Sequence, residues 1–144
     1  MTKHLIILAG LALYLTSFFL VAVSAVSASG GIHGYHCAWL TLIIPWGRDG
    51  MNVLHEQPVQ YFSILLSGWI NPIFLIIIVL QLLRKKRFAN IFTVVLILLF
   101  PFCWIIFYQE HMHPVTGYFL WILGMLLVVL SGRFGGSHTA ASAA

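Results

Sequence analysis

Apolar residues in this chain fall in four long runs, at residues 5–25, 61–83, 88–108 and 115–130, with a long loop after the first and short polar stretches between the others. The first three are about 20 residues long, enough to cross a bilayer, and the fourth is close to the short limit of ~17. An open strand edge leaves its backbone unpaired in hydrocarbon, so spanning segments of this kind must be helices. The pattern therefore predicts an all-α chain, an integral membrane four-helix bundle occupying residues 1–131 as one domain. The stretch 132–144 is small and polar, ending in Ala, Ser and Thr, and reads as a flexible tail.

The first run carries a second reading. Lys3, an apolar stretch and then Val26-Ser27-Ala28 share the layout of a secretory signal with a small-residue cleavage site. The apolar stretch is longer than the usual ~7–15 residues of such a signal, so a retained helix is expected. Between the first two runs lies a 29–60 loop. Within it, residues 38–44 are apolar but too short to span, and Trp39 and Trp46 flank them. This piece reads as lying in the membrane interface or dipping back into it. Pro45 and the Trp46-Gly47-Arg48-Asp49-Gly50 run end it in a turn. Residues 51–56 suit one amphipathic turn.

Few polar positions interrupt the runs. Ser63, Ser67 and Asn71 recur every four residues and share a helix face, with Gly68 beside them. Small residues at this spacing let helices approach closely, and an Asn can bond across the gap. Gly117 and Gly124 share a face of the last helix in the same way. Pro72 cannot donate a backbone N–H and should kink the second helix, as Pro101 should kink the third.

Composition and charge turn this pattern into a topology. Of 144 residues, 61% are hydrophobic and 7% charged, against roughly 25% charged in soluble domains. Lys3, Arg84, Lys85, Lys86, Arg87 and Arg133 fall on one side of a four-helix threading, and only Arg48 on the other. The positive-inside rule then puts both termini and the 84–87 turn in the cytoplasm. The net charge of +4 is thus a topology signal with no basic face, which argues against nucleic acid as a partner. Asp49, Glu56 and Glu110, with His33, His36, His55, His111 and His113, all come to the outer face. No ionisable Asp, Glu, Lys or Arg lies within the runs, which disfavours a proton pump or ion-coupled carrier.

The candidate chemistry is therefore external. His33, His36 and Cys37 form H-x-x-H-C, and His111 and His113 form H-x-H. Imidazole and thiolate are the usual zinc and copper ligands, so these five are the candidate metal ligands. No C-x-x-C or H-E-x-x-H frame accompanies them. The competing reading is structural: histidines at the water–lipid boundary, with Pro114 in the first turn of the last helix and Glu110 facing its positive end. A Cys37–Cys103 bridge is not expected. Cys37 beside His36 is adjacent only in sequence, and no nucleophile elbow, phosphate loop or carboxylate pair is present, so an enzyme is not expected.

Gly68-Trp69-Ile70-Asn71-Pro72 opening an apolar helix, the basic turn Arg84-Lys85-Lys86-Arg87, and the Gly117-Tyr118-Phe119-Leu120-Trp121 opening of the last run resemble a group of small, uncharacterised bacterial inner-membrane proteins. Those proteins carry GW-x-NP before a basic turn and GYYLW at the last helix; Phe119 replaces the second Tyr. The resemblance covers residues 60–131. It implies a four-helix fold in a bacterial inner membrane and no activity. The expected function is that of a non-enzymatic accessory or structural subunit, whose partners are the bilayer, other membrane subunits or copies of itself. Two alternatives stand beside it: an immunity-type protein acting against a pore-forming toxin, and an extracytoplasmic metal-binding protein holding zinc or copper.

Overall fold

The computed structural model describes residues 2–25 and 31–134. The Val26-Ser27-Ala28 cleavage motif, the first residues of the long loop and the tail from 135 onward lie outside the described residues. The chain is mostly helical. In order it builds α1 (Thr2–Phe19), β1 (Val21–Ala25), β2 (Ile32–His33), α2 (Gly34–Ile43), a 3-10 turn (Ile44–Trp46), α3 (Arg48–Glu56), α4 (Pro58–Gly68), α5 (Ile70–Leu82), α6 (Lys86–Gln109), β3 (Met112–Pro114) and α7 (Thr116–Phe134). The continuous helical stretch Pro58–Leu82 and the helix Lys86–Gln109 are long and apolar enough to cross a membrane; His4–Phe19 and Thr116–Gly132 are shorter apolar helices.

The break between α4 and α5 follows from Pro72. Its ring displaces the carbonyl four residues back, that of Gly68, and it has no N–H to offer that carbonyl. The helix tightens there, with Trp69 N–H donating to Leu66 O at 3.2 Å, and resumes with Ile73 N–H on Trp69 O at 3.0 Å. Pro101, by contrast, lies inside an α6 that stays continuous.

Three expectations need correction. The first run is not helical to residue 25: α1 stops at Phe19 and Val21–Ala25 is a strand. Alternating β-branched residues at 21 and 23 suit a pleated surface, and β1 finds partners on both edges. It pairs antiparallel with β2 (Val21 with His33) and with β3 (Val23 with Pro114, Ser24 with His113, Ala25 with Met112), giving the order β2-β1-β3. Second, Pro114 does not open the last helix. It ends β3, an edge strand, where a missing N–H is tolerated, and α7 begins at Thr116 after Val115 N–H bonds Ala22 O at 3.0 Å. Third, residues 132–134, expected in the tail, are the end of α7. The short apolar piece of the long loop is a full helix, α2, and the amphipathic turn extends to a helix, α3.

α1 packs along α7, and α4 and α5 pack along α6; α5 also touches α7 and joins the two pairs. The core is the seam between them, around Phe74, Ile70, Ile77, Met125 and Val128, all at most 1% exposed. Glycines set the α1–α7 spacing: a Cβ on Gly124 would sit 2.7 Å from Gly10 O and from Tyr14 N. The sheet, α2 and α3 gather at one end of these helices, called here the cap end. The 84–87 turn marks the opposite, basic end.

Candidate functional site

Polar groups in the helical body converge on one atom. Asn71 Oδ1 accepts from Tyr14 Oη at 3.0 Å and from Trp121 Nε1 at 2.9 Å, tying α5 to α1 and α7. The neighbouring small residues act differently. Ser63 and Ser67, both buried, donate within their own helix, to Val59 O at 2.8 Å and Ile64 O at 2.9 Å. Gly68 serves close approach: a Cβ there would sit 2.5 Å from Thr41 O, so α2 lies directly on the backbone of α4. Gly117 does the same for β1, where a Cβ would meet Val21 O at 2.6 Å. Of the six residues expected at helix contacts, Gly68 and Gly124 lie against another helix, Gly117 against β1, and Asn71 alone makes a side-chain bond to other helices. Tyr14, which the sequence pattern left unmarked, is its partner; one phenol inside an apolar run carries no periodic signal.

Between the cap and the helix ends lies a cavity of about 470 Å³, a size typical of small-molecule sites. Its walls come from every quarter of the fold: Phe18 of α1, Val23 of β1, Leu40 of α2, Ile64 of α4, Ile106 and Phe107 of α6, and Trp121 of α7 are among them. The lining is mainly apolar, and its serine and threonine hydroxyls are already engaged. Ser17 donates to Tyr14 O at 2.6 Å, and Thr41 to Cys37 O at 3.0 Å. At the rim, Gln60 Nε2 donates to Glu110 Oε1, closing the start of α4 onto the end of α6. Glu110 thus bridges the seam between α4 and α6.

Cys37 and Cys103 both line this cavity as free thiols, one from α2 and one from α6. Burial pushes the Cys37 thiol up to about 11, against a weaker lowering by a backbone hydrogen bond. A thiol so placed is neutral at physiological pH and a poor nucleophile. Tyr118, 5% exposed, packs its ring on Phe107 with centroids 4.9 Å apart. Its hydroxyl has no partner among the described residues.

The histidines are dispersed over the cap. His33 ends β2, with Nδ1 3.1 Å from Phe19 O, and stacks on Tyr35, which in turn packs on His36. His111 occupies a left-handed turn position (φ 50) before β3, and His113 lies in β3 opposite Ser24. Both are exposed. Among the described residues no three His, Cys, Asp or Glu side chains come together to hold a metal ion. The two segments carrying His33, His36, Cys37 and His111, His113 do join one sheet, but through backbone pairing on opposite edges of β1. No protein family, curated protein or solved structure matches the chain.

Proposed function

We propose that the chain is a four-helix integral protein of a bacterial inner membrane, with both termini in the cytoplasm. It works by binding, as a non-enzymatic accessory subunit of a larger membrane assembly. Supporting the membrane placement, the two long apolar helices turn large side chains outward: Ile91, Val94, Leu98 and Trp104 of α6 are each at least half exposed. A water-soluble chain rarely leaves such a continuous apolar surface uncovered. The basic 84–87 turn at one end supports that end as the cytoplasmic one. The resemblance of residues 60–131 to small inner-membrane proteins agrees with it.

The observation that carries the accessory role is the state of α2. None of its ten residues is buried, although it is strongly apolar. Its inner side is fixed on Gly68, while Trp39 and the following Trp46 stand 62% and 73% exposed. Aromatic anchors of this kind, presented on a rigid cap, are what protein interfaces bury at their centres. The test is a photo-crosslinking amino acid placed at position 39 or 46, irradiated in native membranes. A discrete protein adduct that also co-purifies in mild detergent is the expected result. Adducts to lipid alone, with a chain that runs only as a monomer, would refute the reading.

A further inference from the structure

We propose that the basic end holds the phosphate of an anionic phospholipid headgroup, in a pocket between the end of α5, the start of α6 and the end of α7. This inference rests on the membrane placement above and not on the accessory role. The pocket, about 290 Å³, is lined among others by Gln81, Arg84, Lys86, Asn90, Thr93 and Gly132. Unlike the cap cavity it is largely polar, with two cations, two amides and a hydroxyl.

The local fold puts these groups on one wall. α5 ends with Lys85 N–H on Leu80 O at 2.9 Å and Arg84 N–H on Gln81 O at 3.2 Å, while Arg84 takes the left-handed conformation (φ 58). That pair of bonds is the turn that satisfies the last carbonyls of a helix. It reverses the chain at once, so that Arg84 and Lys86 flank the same space. Gln81 Nε2 donates to Val128 O at 3.3 Å and fixes α7 as the opposite wall. α6 then begins with no side-chain cap and no acidic residue in its first turn. Lys86 N–H is taken by Arg84 O at 3.0 Å, so what α6 offers an anion is the positive end of its dipole.

Charge decides what fills the pocket. The chain has three acidic residues, at positions 49, 56 and 110. Glu110 caps the far end of α6, whose 24 residues span about 36 Å, and the other two belong to the cap. No carboxylate lines the pocket among the described residues. Arg84, Lys85, Lys86 and Arg87 are four consecutive cations with no counter-ion among the described residues, and an outside anion relieves their repulsion. A phosphate group meets both the cations and the Asn90 amide donor. Free phosphate has the same chemistry. The lipid is favoured because the flanking side chains Leu82, Leu83 and Phe88 are 65%, 61% and 55% exposed, a surface for the acyl chains beside the headgroup. Basic pockets between helices on the cytoplasmic side bind anionic headgroups in this manner.

The experiment uses the full chain purified in an uncharged detergent, melted while helicity is followed. It is titrated with short-chain phosphatidylglycerol, short-chain phosphatidylcholine and inorganic phosphate. Phosphatidylglycerol should raise the melting temperature at concentrations where the other two do not. At roughly fivefold in affinity per cation, Arg84→Gln with Lys86→Gln should weaken that binding about thirtyfold. Lys85→Gln with Arg87→Gln removes the same charge away from the pocket and should cost less than about fivefold. Asn90→Leu changes no charge and should still weaken binding several-fold. Equal losses from the two charge pairs, or an unchanged Asn90→Leu variant, would mean diffuse attraction and overturn the pocket. Inorganic phosphate matching phosphatidylglycerol would overturn the lipid as its source. Alkaline extraction of the same membranes scores membrane placement separately, so a failure of that reading is not mistaken for a failure of headgroup binding.

Discussion

Asn71→Leu is the most informative single change in the helical body. It keeps the side-chain volume and removes only the acceptor shared by Tyr14 and Trp121. An average interhelical hydrogen bond in lipid contributes near ~0.6 kcal/mol, but a buried donor left unpaired costs about 1–3 kcal/mol. Tyr14 is 4% exposed, so its hydroxyl has no water to turn to. With both donors stranded, Asn71→Leu is expected to lose about 2–4 kcal/mol. The sign of a second substitution tests the reasoning. Tyr14→Phe alone should destabilise by about 1 kcal/mol, because it removes a made bond. In the Asn71→Leu background it should instead recover about 1–2 kcal/mol, because it removes a stranded hydroxyl. The assay is unfolding of the purified protein in mixed micelles of rising SDS content, followed by helical circular dichroism. If Tyr14→Phe has the same sign and size in both backgrounds, Asn71 is not the partner that matters and the account is wrong.

Gly124→Leu places a side chain where even a Cβ would be 2.7 Å from two backbone atoms of α1; it should destabilise by about 1–3 kcal/mol or more, read as a lower SDS midpoint. Arg84→Gly and His111→Gly relieve left-handed backbone at φ 58 and φ 50, and each should raise stability by up to about 1 kcal/mol in the same assay. Cys37, studied in a Cys103→Ala background, should react with iodoacetamide along a pH profile that keeps climbing toward about 11 instead of levelling near 9.0. Because burial favours the neutral thiol, its contribution to stability is complete below pH 9.0 and is lost as the pH rises toward about 11. Elemental analysis of the purified chain should give the same metal content before and after His111→Ala with His113→Ala.

By itself, the sequence determined the apolar helices, the Pro72 break and the small-residue contacts, because these depend on local chemistry and on a period of four residues. Run length alone fixed where the α4–α5 stretch and α6 begin and end to within a few residues. What it misread depends on partners far away in the chain. Val21–Ala25 looks like more helix because its residues are apolar; it is a strand because residues 32–33 and 112–114 arrive on either side. The same pairing explains the opening of the last helix, since Pro114 is taken up by β1 before α7 can start. The histidines stood together in the sequence only as residues on one side of a membrane. Tertiary structure brings both segments to one sheet, yet among the described residues no three His, Cys, Asp or Glu side chains gather around one point. Tyr14 and the cap cavity were invisible for the same reason: an acceptor on α5 meets a donor on α1 only when helices 57 residues apart in the chain pack together.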